Sequence, residues 1–205
     1  MRNAMTAISP QQKSINGGVE VEPRKVLGNA FLHTQAKGSS MACIMTLKEF
    51  GYLHAINVGD SGFMIFKNKQ CVYESPIQKH SFNHPYQLGN SKYIAWALSL
   101  PAGDIIVLGT DGLLDNMYSE QIGDVIKKGA LEGVNPEQLA WDFAELALYN
   151  PMDKYLYSPF AKAAQLAGKK HMGGKIDDIM VLLPTFYHEF SLAVLFCFLF
   201  YFSYM

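Results

Sequence analysis

Three times in this chain a carboxylate stands at the rim of an apolar run, close to glycine. Asn57-Val58-Gly59-Asp60-Ser61-Gly62 sets an Asp between two glycines directly after the run at 52–58. Gly109-Thr110-Asp111-Gly112-Leu113-Leu114-Asp115-Asn116 does the same after 104–108, and Gly173-Gly174-Lys175-Ile176-Asp177-Asp178 sets two acids just before 179–183. Runs of this length and composition predict strands. A bare carboxylate at the edge of a buried strand is costly unless something pairs with it. One Asp-Gly by itself is a turn. Gly-Thr-Asp-Gly-x-x-Asp-Asn says more: if its second half starts a helix, Asp111 and Asp115 face one site. Hard oxygen donors of this kind suit Mg²⁺ or Mn²⁺, and the glycines let the backbone turn sharply beside them.

The rest of the pattern restricts the fold class. Val26, Leu27, Ala30 and Phe31 predict a helix over 24–35, broken by Gly38-Ser39-Ser40. Strands are expected at 41–47 and 52–58, parted by Lys48-Glu49, and a hairpin at 62–66 and 71–74 around Asn68-Lys69. After the strand at 104–108, Ser119 is expected to cap a helix carrying Ile122, Val125 and Ile126, closed by Gly129 behind Lys127-Lys128. Asn135-Pro136-Glu137 opens a second helix with Leu139, Phe143 and Leu146 along it, and Pro184 stops the last strand. Strands clustered before helices predict an α+β fold with helices covering antiparallel sheets.

The 205 residues suffice for one domain with a sizeable core. Lys+Arg of 17 against Asp+Glu of 18 gives a net charge of −1, which excludes a sequence-independent nucleic-acid binder. Cys43, Cys71 and Cys197 form no C-x-x-C pair, so neither a zinc knuckle nor a redox motif is expected, and a reducing intracellular compartment is. The N-terminus shows no targeting peptide. His80 and His84 read as structural loop residues, and His171 receives no role. Residues 191–205 are uncharged and apolar, short of the roughly 20 that span a bilayer. The domain is therefore expected over 1–187. Residues 188–205 are read as a tail foreign to it, in preference to a membrane contact through 191–205.

The chain from Lys37 to Val181 resembles the 2C-type (PPM) metal-dependent protein serine/threonine phosphatases, in particular their organelle-associated plant and mitochondrial branch. The segments carrying the likeness are Lys37-Gly38-Ser39-Ser40-Met41-Ala42-Cys43-Ile44, Asn57 to Phe63, Pro85-Tyr86-Gln87-Leu88, Gly109 to Asn116, Ser158-Pro159-Phe160 and Gly173 to Ile179. The resemblance implies an α-β-β-α sandwich of two antiparallel sheets, incomplete at the N-terminus, with metals between the sheets. It implies that Asp111, with Gly112 beside it, ligates the first catalytic metal and that Asp177 is the last aspartate of that site, while Asp60 and Asp115 lie near a weaker third position. The implied reaction is hydrolysis of phosphoserine or phosphothreonine in a phosphoprotein by a metal-bound water, with no catalytic side chain beyond it. The implied compartment is a chloroplast or mitochondrion. The family opens with an Asp-Gly-x-Gly-Gly element whose Asp bridges both metals, whereas here no Asp precedes Asp60. The chain thus reads as N-terminally truncated, and a second expectation stands beside the enzyme: a catalytically impaired phosphatase-like binding or regulatory protein. A haloacid-dehalogenase-type enzyme, suggested by Gly-Thr-Asp-Gly, would need an early Asp-x-Asp nucleophile, and the chain has none.

Overall fold

Proline at the first helical position starts three of the helices, where its fixed φ suits the turn and its missing N–H leaves no bond unmade. The computed structural model describes residues 22–35, 38–48, 52–88, 96–101, 105–183 and 195–201. In chain order these form α1 (Pro23–Leu32), β1 (Ser39–Lys48), β2 (Tyr52–Val58), β3 (Gly62–Lys67), β4 (Gln70–Glu74), β5 (Lys79–Ser81), β6 (His84–Pro85) and β7 (Trp96–Pro101). Then follow β8 (Ile105–Gly109), α2 (Asp111–Leu114), α3 (Ser119–Glu132), α4 (Pro136–Tyr149), a 3₁₀ turn at Asn150–Met152, α5 (Pro159–Leu166), β9 (Val181–Leu182) and β10 (Leu195–Tyr201). Lys37, Glu49, Asp104, Pro184 and residues 188–194 and 202–205 of the expected tail lie outside the described residues.

The chain divides into two compact units, each with its own antiparallel sheet. In the first, built from residues 1–59, 85–102 and 186–205, the strand order is β10-β1-β2-β7. Ala42 lies opposite Val58 and Lys48 opposite Tyr52, so the short polar link makes a direct hairpin. Residues 195–201 pair antiparallel with β1, Cys43 opposite Cys197. Val26, Leu27 and Ala30 of α1 pack on Ala42, Ile44, Ile56, Val58 and Leu88. Period-2 alternation puts Ala42 and Ile44 on one face of β1, yet Met41, Cys43 and Met45 on the other face are buried too.

The second unit, residues 60–84 and 103–185, has the order β4-β3-β8-β9. Asn68 and Lys69 take φ of 51° and 64°, the left-handed pair that a two-residue hairpin loop requires. Met64, Phe66 and Val107 bury against Leu113, Met117, Ile122 and Ile126, with Leu139, Phe143 and Ala147 of α4 in the same cluster.

Three sequence expectations are corrected here. The cap of α3 is Tyr118, whose N–H donates to Gln121 Oε1 at 2.8 Å, and Ser119 is the first helical residue. Gly129 does not end that helix: it sits buried inside it, where a side chain would press on Leu139, and the helix runs on to a left-handed Gly133 with φ of 67°. The last strand is only Val181–Leu182, because residues 178–180 are tied to Thr110 instead of the ladder. Thr110 Oγ1 donates to the Asp178 carbonyl at 2.7 Å and accepts from Met180 N–H at 3.1 Å. Asn135 caps α4 as expected, accepting from Gln138 N–H at 2.8 Å.

Candidate metal centre

β8 carries no polar side chain, and the chain turns from it into α2 at Thr110, which is wholly buried. Asp111 is therefore delivered to the strand end as the first helical residue, 4% exposed. Its Oδ1 accepts from Gly112 N–H at 3.1 Å, which fixes the carboxylate and turns Oδ2 away. Gly112 has no room for a side chain: a Cβ there would lie 2.5 Å from the Asp178 carbonyl oxygen. Its own carbonyl accepts from Asn116 Nδ2 at 2.8 Å. The Asp115 carboxylate, one helical turn on from Asp111, lies 3.8 Å from the nearest cation among the described residues.

The two acids meet a third from the far end of the sequence through Asn116, which is 1% exposed. Asn116 Nδ2 also donates to the Lys175 carbonyl, and its Oδ1 accepts from Lys175 N–H, both at 2.8 Å. This pairing pins the backbone just before Asp177 beside α2. The Lys175 ammonium then donates to Asp111 Oδ2 at 2.6 Å, lies 2.6 Å from Asp177 Oδ2 and stands 3.8 Å from Asp115 Oδ2. Its side chain is 17% exposed.

Asp60, in the turn before β3, completes the electrostatic group. Burial, then the charge of Asp111, pushes its carboxyl up to about 6. Its Oδ1 is buried with no hydrogen-bond partner among the described residues. Burial likewise pushes Asp115 up to about 7, with Asp111 and Asp60 adding to it and Lys175 opposing. Asp111 is raised by burial against the pull of Lys175. Burial disfavours the Lys175 ammonium, but its hydrogen bonds to Asp111 and Asp177 outweigh this and hold its proton more tightly than usual.

All the acids named from the sequence thus lie in one unit, and Asp111, Asp115 and Asp177 share one cation. Asp178 is exposed and its N–H donates to Asp177 Oδ1 at 2.9 Å. Lys175 and Asn116 stand in the quoted motifs, yet no role was drawn for them from the sequence; their place two residues before Asp177 and one after Asp115 is the signal available. His84 makes a local turn contact, Nδ1 to the Phe82 carbonyl at 2.9 Å, and His171 contacts the Gly174 carbonyl at 3.1 Å and the edge of Phe160. Among the described residues no three metal-binding side chains are gathered closely enough to hold an ion as they stand. The donors nevertheless fit one. They are hard carboxylate oxygens, one of them an orphaned buried Oδ1, and three of the carboxylates already surround a positive charge.

The second unit thus sets strand-end aspartates round one cation, beside an antiparallel sheet flanked by helices. No family model matches the chain. Probable protein phosphatase 2C 80 of Arabidopsis thaliana is 44% identical over 190 residues, which is 89% of this chain and 45% of that protein. Probable protein phosphatase 2C 55 of Arabidopsis thaliana is 38% identical over the same share of this chain and 39% of its own length. The chain thus spans about half the length of the curated relatives it matches. Among solved structures, the photosystem II phosphatase PBCP superposes with a TM-score of 0.72 at 29% identity, covering 89% of this chain and 77% of that one. The catalytic domain of the phosphatase PstP, solved with two manganese ions, shares the fold at a TM-score of 0.51 and 16% identity, covering 72% of this chain and 73% of its own. Over 89% of its length the chain is similar to 2C-type protein phosphatases.

Proposed function

We propose that this chain forms the working part of a protein serine/threonine phosphatase that uses Mg²⁺ or Mn²⁺. Asp60, Asp111, Asp115 and Asp177 would hold the metal, with Gly112 keeping the backbone close beside them. The observation that carries the reading is the convergence of Asp111, Asp115 and Asp177 on one positive charge, with the orphaned Oδ1 of Asp60 in the same electrostatic group. When bound, divalent ions supply the Lewis acidity that activates water and neutralises the phosphoryl oxygens. The chain's own part is positional. Gly112 N–H orients the Asp111 carboxylate, Asn116 clamps the 173–178 segment to α2, and Thr110 holds the Asp178 carbonyl where that segment passes. No side-chain nucleophile is required. The substrates we infer are phosphoproteins, and the likeness to Arabidopsis thaliana relatives and to a photosystem II phosphatase supports a plant organelle as the place of action. Among the described residues no helix is long and apolar enough to cross a membrane.

The test is Mn²⁺-dependent release of phosphate from a phosphothreonine peptide by the full chain, beside Asp111→Asn. Turnover that needs Mn²⁺ and falls at least 100-fold in the variant is the expected result. Folded protein that binds Mn²⁺ but leaves the peptide intact would overturn the reading in favour of a binding or regulatory role.

A further inference from the structure

We propose that Lys175 is a resident cation of this centre: its ammonium occupies the place of a divalent ion among Asp111, Asp177 and Asp115, and must leave them for the metal to enter. The inference rests on the reading of these acids as a metal site. Three observations carry it. The ammonium lies at hydrogen-bond distance from Asp111 and Asp177, 2.6 Å each, while Asp115 waits at 3.8 Å without a hydrogen bond to it. Its approach is not a surface accident, because the Lys175 backbone is gripped on both sides by the buried Asn116 amide. The ammonium also has a contact outside the carboxylates: Nζ stands over the Phe160 ring, 6.0 Å from its centre, a face that attracts a cation.

The charges set the direction of exchange. The Lys175 ammonium faces Asp111, Asp177 and Asp115, with Asp60 in the same electrostatic group and Lys79 acting on Asp115 besides, so the cluster holds more carboxyl groups than cations. A divalent ion would neutralise the cluster better and would offer a partner to the Asp60 Oδ1, which has no hydrogen bond among the described residues. Without metal, Lys175 spares the site the mutual repulsion of its carboxylates. It acts as a positioning residue that preserves the arrangement and competes with the metal.

Calorimetric Mn²⁺ titration of the full chain tests this, comparing wild type with Lys175→Met, Lys175→Arg and Asp111→Asn. Lys175→Met should bind Mn²⁺ at least 10-fold more tightly than wild type and melt at a lower temperature when metal-free. Lys175→Arg, which keeps the charge, should bind no more tightly than wild type. Asp111-dependent binding with unchanged or weaker affinity in Lys175→Met overturns the proposal and leaves the metal site standing. No Asp111-dependent binding in any form overturns both. Should Lys175→Met fail to fold, amine acylation of the wild-type chain read by mass spectrometry decides: Lys175 should be shielded without metal and labelled with Mn²⁺, and labelling that Mn²⁺ does not raise refutes the exchange.

Discussion

Asp115 and Asp60 keep their protons to about 7 and 6 in the fold, against an ordinary 3.8, with burial as the first cause and Asp111 adding to it. Lys175 opposes the rise at both, Lys79 does so at Asp115, and Asp177 supports it at Asp60. The unfolded chain releases these protons near pH 4, so between about pH 4 and 7 the folded state binds more of them. Metal-free protein should therefore lose stability as pH rises through that window and level off above it. For Asp115 alone the loss is on the order of 3 kcal/mol. Urea midpoints in EDTA at pH 5 and pH 7.5 check this, with Asp115→Asn expected to show the shallower dependence. An equal dependence in both proteins would remove Asp115 as its source. Asn116 poses a different test. Its amide makes three bonds to backbone groups, and truncation to Ala leaves them unmade in a buried place, costing about 3 kcal/mol. Metal affinity should fall with it, since the segment bearing Asp177 loses its clamp; retained stability by thermal unfolding would show the clamp to be dispensable. The acids were legible in the sequence because each sits within three residues of a glycine at the rim of an apolar run. Lys175 and Asn116 were not, since a lysine or asparagine in a polar loop carries no local mark of the partner it meets about 60 residues away.

Helices and strands repeat the contrast one level up. The hairpin β3–β4 was readable because Asn68-Lys69 parts two short apolar runs, and the Asn135-Pro136-Glu137 start of α4 because it carries its own cap. The end of α3 was misread at Gly129, because a glycine that stops a helix and one that admits a neighbouring helix look alike in sequence. Here Leu139 packs against Gly129, and Gly133 supplies the left-handed turn. Gly133→Ala should accordingly cost about 1 kcal/mol through its positive φ. A chemical-denaturation midpoint equal to wild type would contradict the cap. β9 was overestimated for a related reason: its apolar run continues, but the Thr110 hydroxyl takes the backbone groups that a ladder would have used.

Across the whole molecule, all the candidate site residues belong to one of the two units, drawn from the 60–84 and 103–185 segments. Mn²⁺ should therefore protect amides unevenly. Hydrogen exchange is expected to slow at 105–116 and 173–182, while α1, β1 and β2 change little. Uniform protection, or protection centred on β1 and β2, would contradict a site built on the second unit. What the sequence by itself determined was local: apolar runs of strand or helix length, turn and cap residues, and carboxylates stranded at strand ends, each read within a few residues because backbone geometry acts at that range. The tertiary structure alone decided which ends meet. Asn116 bridges the α2 turn to the 173–178 segment, and only that long-range closure gathers Asp111, Asp115 and Asp177 about the Lys175 ammonium, since burial and Coulomb interactions depend on distance in space and not on separation along the chain.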